Sequence, residues 1–121
     1  MTTRTIHHTL CNLYKSTSSL PLSDKDRYVI FSDLHMGTGG KRDDFNKNSR
    51  ILLYILENYY LKNDYRLILN GDIEELQKFK LQKIMRKWSP LYELFYAFRD
   101  KNKLIKILGN HDLDLMYEKN Y

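Results

Sequence analysis

The stretch YVIFSDLH (28–35) decides the fold that this chain is expected to adopt. Its first four residues are apolar and rich in β-branched and aromatic types, a composition typical of a buried strand. Polar side chains follow the strand at once, with Asp33 and His35 two residues apart. In α/β proteins, ligands bind at the carboxyl ends of parallel strands, so Asp33 and His35 indicate a ligand site at the end of this strand.

Two later segments repeat the arrangement. An apolar run at 65–69 leads into NGDIEE (70–75), and a second run at 104–108 leads into GNHD (109–112). The strand–helix–strand–helix–strand order with long crossovers predicts a β-α-β-α-β parallel layer of the α/β class with right-handed connections.

The segments between the predicted strands have helical periodicity. Apolar residues recur on one face from Phe45 to Tyr59, and two further stripes lie on either side of Pro90. Because proline is tolerated in the first helical turn but not in mid-helix, residues 73–100 are predicted to form two helices.

The chain divides into two parts. Residues 1–26 are predicted to be an N-terminal extension, a short helix followed by a Ser- and Pro-containing connector, and residues 27–121 a partial α/β domain. The length of 121 residues allows one domain at most. With 42% hydrophobic and 29% charged residues, the composition excludes a disordered chain.

The net charge of +5 favours anionic partners such as phosphates. The basic residues are scattered and no aromatic-interleaved RNA-binding motif is present, so nucleic acid is a possible partner but not the favoured one. A solvated lysine-rich surface is the other interpretation. The single cysteine, Cys11, cannot form an internal disulfide, and no apolar run reaches the length of a membrane span, which predicts a cytoplasmic protein without a transmembrane segment.

The residues that follow the three strands have the chemistry of a divalent-metal site. Asp33, His35, Asp72 and Asn110 together offer carboxylate, imidazole and amide ligands. One aspartate can bridge two cations, and two cations about 3.5–4 Å apart can support an in-line phosphoryl displacement. Ordinary turn chemistry is the competing interpretation for the Asp and Asn residues, and a hydrogen-bonded structural histidine is the competing one for His35 and His111.

Taken in order, the motifs Asp33-Leu34-His35, Gly71-Asp72-Ile73-Glu74-Glu75 and Gly109-Asn110-His111-Asp112 resemble the first three motifs of the calcineurin-like metallophosphoesterase superfamily. The similarity spans roughly residues 27–118. It implies a phosphoester hydrolase, and a fold that is the first half of an αββα sandwich with a dinuclear metal centre at one rim.

The resemblance also implies roles for single residues. Asp33 and His35 would bind the first metal, Asp72 would bridge both metals, and Asn110 would bind the second. His111 would protonate the leaving oxygen. The rest of the predicted catalytic set is Glu75, which would orient His111, and Asp112, which would support the loop. From the sequence alone, Glu75 is equally well interpreted as a first-turn acid that complements a helix dipole, and both roles could hold.

The chain departs from the family in one respect. The later family motifs supply further histidines, and this chain has none after His111. The cofactors implied are two divalent ions, with Mn²⁺ favoured over Fe, Zn, Ni or Mg, and the second site incomplete.

Three functions follow from the sequence. The first is a phosphatase or phosphodiesterase acting on a phosphorylated substrate. The alternatives are a truncated, non-catalytic fragment that binds at most one metal, and a nuclease-type phosphodiesterase. A missing C-terminal half or an oligomer partner would complete the site, and an isolated half would expose a sheet face or edge.

Overall fold

The three predicted strands form one parallel sheet. In the computed structural model, which describes residues 2–119, the strands are β1 (Tyr28–Phe31), β2 (Arg66–Asn70) and β3 (Leu104–Ile107). They are paired in the order β1-β2-β3, and both pairings are parallel. The predicted mixed α/β layer is therefore confirmed, with strand bounds within one residue of those expected.

Helices precede, connect and follow the strands. They are α1 (Thr3–Ser16), α2 (Ser49–Ile55), α3 (Leu81–Lys87), α4 (Ser89–Asp100), 3-10 segments at Asn46–Asn48 and Leu113–Tyr117, and a π-helical turn at Leu56–Tyr60 that continues α2. Pro90 lies in the first turn of α4, as its position in the sequence predicted.

The segment 73–80 is not helical, so the predicted extent of the first helix in 73–100 is wrong. Two of its backbone N–H groups bond to neighbouring loops: the N–H of Glu75 donates to the Met36 carbonyl (3.0 Å), and that of Leu76 donates to the His111 carbonyl (3.0 Å). The Phe79 N–H does donate to the Glu75 carbonyl (3.0 Å), but this single turn ends at Lys80, whose backbone is extended (φ −79°, ψ 137°). Glu75 therefore lies in a loop, and the interpretation of this residue as a first-turn helix acid is also wrong.

The hydrophobic core lies between one face of the sheet and the helices. Leu67 and Leu69 of β2 are almost fully buried, together with core residues from α2, α3 and α4, namely Leu52, Ile84, Leu91, Phe95 and Phe98. Burial of each large apolar side chain contributes about 1.5–3 kcal/mol, and this packing holds the strand ends in place.

The opposite face of the sheet is open. Ile30 and Ile107 are 60% and 49% exposed, and Ile68 and Ile105 are half-buried beside them. Two connector residues, Leu20 and Leu22, line a shallow groove on this face. The prediction that the chain exposes a sheet face is confirmed.

Helix α1 stands apart from the core, with no buried residue along its length. The helix begins with an N-cap, in which the Thr2 hydroxyl accepts a hydrogen bond from the Thr5 N–H. Among the helices of residues 2–119, none is both long enough and apolar enough to cross a membrane.

Candidate metal centre

The loops after β1 and β2 run side by side beyond the sheet. The backbone N–H of Asp33 donates to the Gly71 carbonyl (3.1 Å), and that of His35 donates to the Asp72 carbonyl (3.0 Å). The loop after β3 joins them, because the His111 N–H donates to Oδ1 of Asp72 (3.0 Å). The three polar motifs therefore meet at one rim of the sheet.

Three of the predicted ligands have an unusual backbone. Asp33, His35 and Asp72 have φ values of 53°, 48° and 53°, in the left-handed region that non-glycine residues seldom adopt. Each such residue costs on the order of 1–3 kcal/mol and persists only when the surroundings hold it. Hydrogen bonds between the loops hold these backbone conformations, and the strained residues are the predicted metal ligands.

These three residues form a group with the composition of a metal site. Ligand atoms of Asp33, His35 and Asp72 lie within 4.8 Å of one another. The Asp33 side chain is 66% exposed, and Nε2 of His35 lies 3.7 Å from its Oδ1. Two carboxylates and an imidazole, open to solvent on one side, fit a divalent cation that also binds oxygen from solvent or substrate.

Two glycines permit the close approach of the loops. Gly71 has φ +82°, which favours glycine over any side chain. At Gly109 a Cβ would overlap the Asp72 carboxylate and would lie 2.7 Å from the Asp72 backbone nitrogen. Gly71 therefore allows the turn after β2, and Gly109 allows the close approach of the loop after β3 to Asp72.

Glu75 joins two imidazoles at the back of the site. Nδ1 of His111 lies 2.8 Å from both carboxylate oxygens, and Nδ1 of His35 lies 3.0 Å from Oε2. The two rings meet edge to face, with centroids 4.7 Å apart. The Glu75 side chain is 4% exposed, so the carboxylate is removed from water and satisfied by the histidines.

Ionisation of Glu75 and protonation of His111 favour each other. Burial opposes ionisation of Glu75, but hydrogen bonds from His111 and His35 outweigh burial and lower the pKa of the carboxyl. The hydrogen bond to Glu75 raises the pKa of His111, against a smaller opposing effect of desolvation. The pair therefore favours a carboxylate beside an imidazole that holds its proton.

Asp112 is fully buried and braces two loops. Its Oδ2 accepts from the Ile73 N–H (2.8 Å) and its Oδ1 accepts from the Gly109 N–H (2.6 Å). This is the loop-supporting role expected of it, and these contacts make it a positioning residue. Asn110 is exposed at the rim beside His111 and stays a predicted ligand.

Two buried polar clusters behind the site were not predicted. Glu74, fully buried, accepts from Lys106 Nζ at 2.7 Å and from the Tyr92 hydroxyl at 2.9 Å. Trp88 Nε1 donates to the Gly37 carbonyl (3.0 Å) and to Asp43 (3.3 Å), which ties the loop after His35 to the end of α3. The one signal in the sequence for the first cluster is a lysine inside the apolar run LIKIL.

Comparisons with known proteins found no matching family model, no matching curated protein and no matching solved structure. The site is therefore interpreted from its own residues.

Proposed function

We propose that this chain carries the metal-binding part of a metal-dependent phosphoester hydrolase. The observation that supports the proposal most is the group formed by Asp33, His35 and Asp72, which come from two different strand ends and share one rim under backbone strain. The resemblance of the three motifs to those of the metallophosphoesterase superfamily also supports the proposal, and it rests on the same residues.

The residues present fit divalent cations. Asp33, His35 and Asp72 would hold the first ion, and Asp72 with Asn110 would contribute to a second. Bound cations would supply positive charge to a phosphoryl group and lower the pKa of a water molecule.

His111, oriented by Glu75, would act on the leaving group. An alkoxide leaving group needs a proton, and the hydrogen bond to Glu75 raises the pKa of His111, which favours its protonated form. The contact of Nδ1 with Glu75 leaves Nε2 as the atom that faces a substrate.

A second candidate is a chain that binds one metal and does not hydrolyse esters. It is favoured by the ligand count, because the described residues provide three ligands for one ion and only Asp72 and Asn110 for another. Completion by further residues or a partner would then be required for activity.

Hydrolysis of nitrophenyl phosphate monoester and diester, with and without Mn²⁺, tests the proposal. We expect Mn²⁺-dependent release of nitrophenol that is lost in Asp72→Asn. The matched control is Asp64→Asn, since Asp64 is also an aspartate at positive φ (65°) but lies outside the site. Single-stranded DNA as a third substrate distinguishes a nuclease from a small-molecule esterase.

Two results would contradict catalysis by this chain. One is equal hydrolysis by the wild type and Asp72→Asn. The other is Mn²⁺ binding with no hydrolysis of any of the three substrates, which would favour the one-metal alternative.

A further inference from the structure

Glu75 makes two contacts, and the proton donor His111 accounts for only one of them. The other is with His35, the predicted metal ligand, whose Nδ1 lies 3.0 Å from Oε2. The two histidines come from loops 76 residues apart in the chain, and the same carboxylate reaches both.

We propose that Glu75 is a positioning residue for His35 as well as for His111, and that it fixes a proton on Nδ1 of both rings. The inference rests on the proposed function in one respect, namely that His35 binds a metal. It adds that one carboxylate determines which nitrogen of His35 would bind the metal and which nitrogen of His111 would donate the proton.

The chemistry of the groups leads to this assignment. An ionised carboxylate only accepts hydrogen bonds, so the nitrogen that faces it carries the proton. A neutral imidazole has one such proton, and its other nitrogen then has a free lone pair. For His35 that nitrogen is Nε2, the atom that lies 3.7 Å from Asp33. Acceptors behind metal-bound histidines fix the ring and raise its basicity.

The same three residues allow another arrangement. His35, Glu75 and His111 are close enough to hold a metal ion themselves. Both Nδ1 atoms would then be ligands and would carry no proton. The contacts of 2.8–3.0 Å are those of N–H···O hydrogen bonds, and the buried Glu75 side chain is satisfied by them. The two arrangements differ in where the proton lies, which can be measured.

Long-range ¹H–¹⁵N NMR of the metal-free chain, at a pH where the imidazoles are neutral, reads the tautomer of each histidine. The chain has four histidines, so His7 and His8 serve as internal references. We expect Nδ1–H for both His35 and His111. In Glu75→Gln the amide offers one acceptor and one donor, so at least one ring should lose this tautomer. Mn²⁺ affinity by calorimetry should fall about 10–100-fold.

Two further variants control the experiment. Glu57→Gln makes the same change at an exposed position and should leave both tautomers and the Mn²⁺ affinity unchanged. Glu75→Asp keeps the charge but has a shorter side chain. His111 should therefore keep the Nδ1–H tautomer, whereas His35 should become a mixture of the Nδ1–H and Nε2–H tautomers. This variant decides the question if Glu75→Gln fails to fold by circular dichroism.

The inference is overturned if His35 is Nε2–H in the wild type, or if both tautomers persist in Glu75→Gln. Because the tautomers are read without metal, this result is separate from the proposed function. Absence of Mn²⁺ binding in every variant would contradict the proposed function alone.

Discussion

The Asp72 carboxylate packs directly against Gly109, in the space that a Cβ at position 109 would occupy. This contact joins the loop after β2 to the loop after β3. It also fixes the orientation of a carboxylate whose Oδ1 accepts from the His111 backbone (3.0 Å).

The Asp72–Gly109 contact leads to the first prediction. Gly109→Ala should displace Asp72, reduce Mn²⁺ affinity at least tenfold and destabilise the fold by about 1–3 kcal/mol through overpacking. Calorimetry and urea unfolding measure the two effects. The matched control is Gly40→Ala, because a Cβ at Gly40 meets nothing within 4 Å. Unchanged Mn²⁺ binding in Gly109→Ala would show that the contact does not position Asp72.

The buried Lys106–Glu74 pair leads to a second prediction. Burial lowers the pKa of Lys106, although Glu74 opposes the shift. Lys106→Met removes the cation beside a fully buried carboxylate and should cost about 3–5 kcal/mol of unfolding free energy. The double variant Lys106→Met/Glu74→Gln should recover part of that loss. If the double variant is no more stable than the single one, the cost does not come from the remaining charge.

The Glu75–His111 pair makes stability depend on pH. Since the folded pKa of His111 is raised above 6.5, its contribution is complete below that pH and is lost as pH rises through the folded pKa. Since the folded pKa of Glu75 is lowered below 4.5, its contribution is complete above that pH and is lost as pH falls through the folded pKa.

The difference in melting temperature between the wild type and Glu75→Gln should therefore be largest between pH 4.5 and 6.5. Thermal unfolding by circular dichroism across a pH series measures it. A difference that is constant with pH would mean that the pair contributes by packing alone.

The open sheet face leads to a prediction about association. Parallel sheets are normally covered on both faces, and Ile30, on the edge strand β1, is 60% exposed beside Ile68 on the open face. We expect concentration-dependent association in sedimentation velocity, and Ile30→Lys should shift the chain toward monomer. Ile51→Lys, at an exposed position of α2, should not. A wild type that stays monomeric at all concentrations would contradict this prediction.

The sequence predicted the sheet and the convergence of the motifs well, and for a physical reason. Apolar runs such as YVIF require burial, and polar residues directly after parallel strands must meet at one edge. The helical spacing of Leu76 and Phe79 predicts that Glu75 lies in a helix, and this prediction is wrong. One turn does form there, since the Phe79 N–H donates to the Glu75 carbonyl (3.0 Å), but the extended backbone of Lys80 ends it, and periodicity alone does not indicate that end.

The contact between Glu75 and His35 likewise could not be predicted from the sequence. The two residues lie 40 positions apart, and the distance between their side chains depends on the left-handed backbone at His35. Neither residue type nor spacing indicates that conformation, since non-glycine residues rarely adopt it.

Calorimetric titration of the metal-free chain with Mn²⁺ tests the central claim most directly. We predict saturable binding to one site, weakened at least tenfold in Asp72→Asn and unchanged in Asp64→Asn. Equal affinity in the wild type and Asp72→Asn, or no saturable binding at all, would contradict the assignment of this rim as a metal centre.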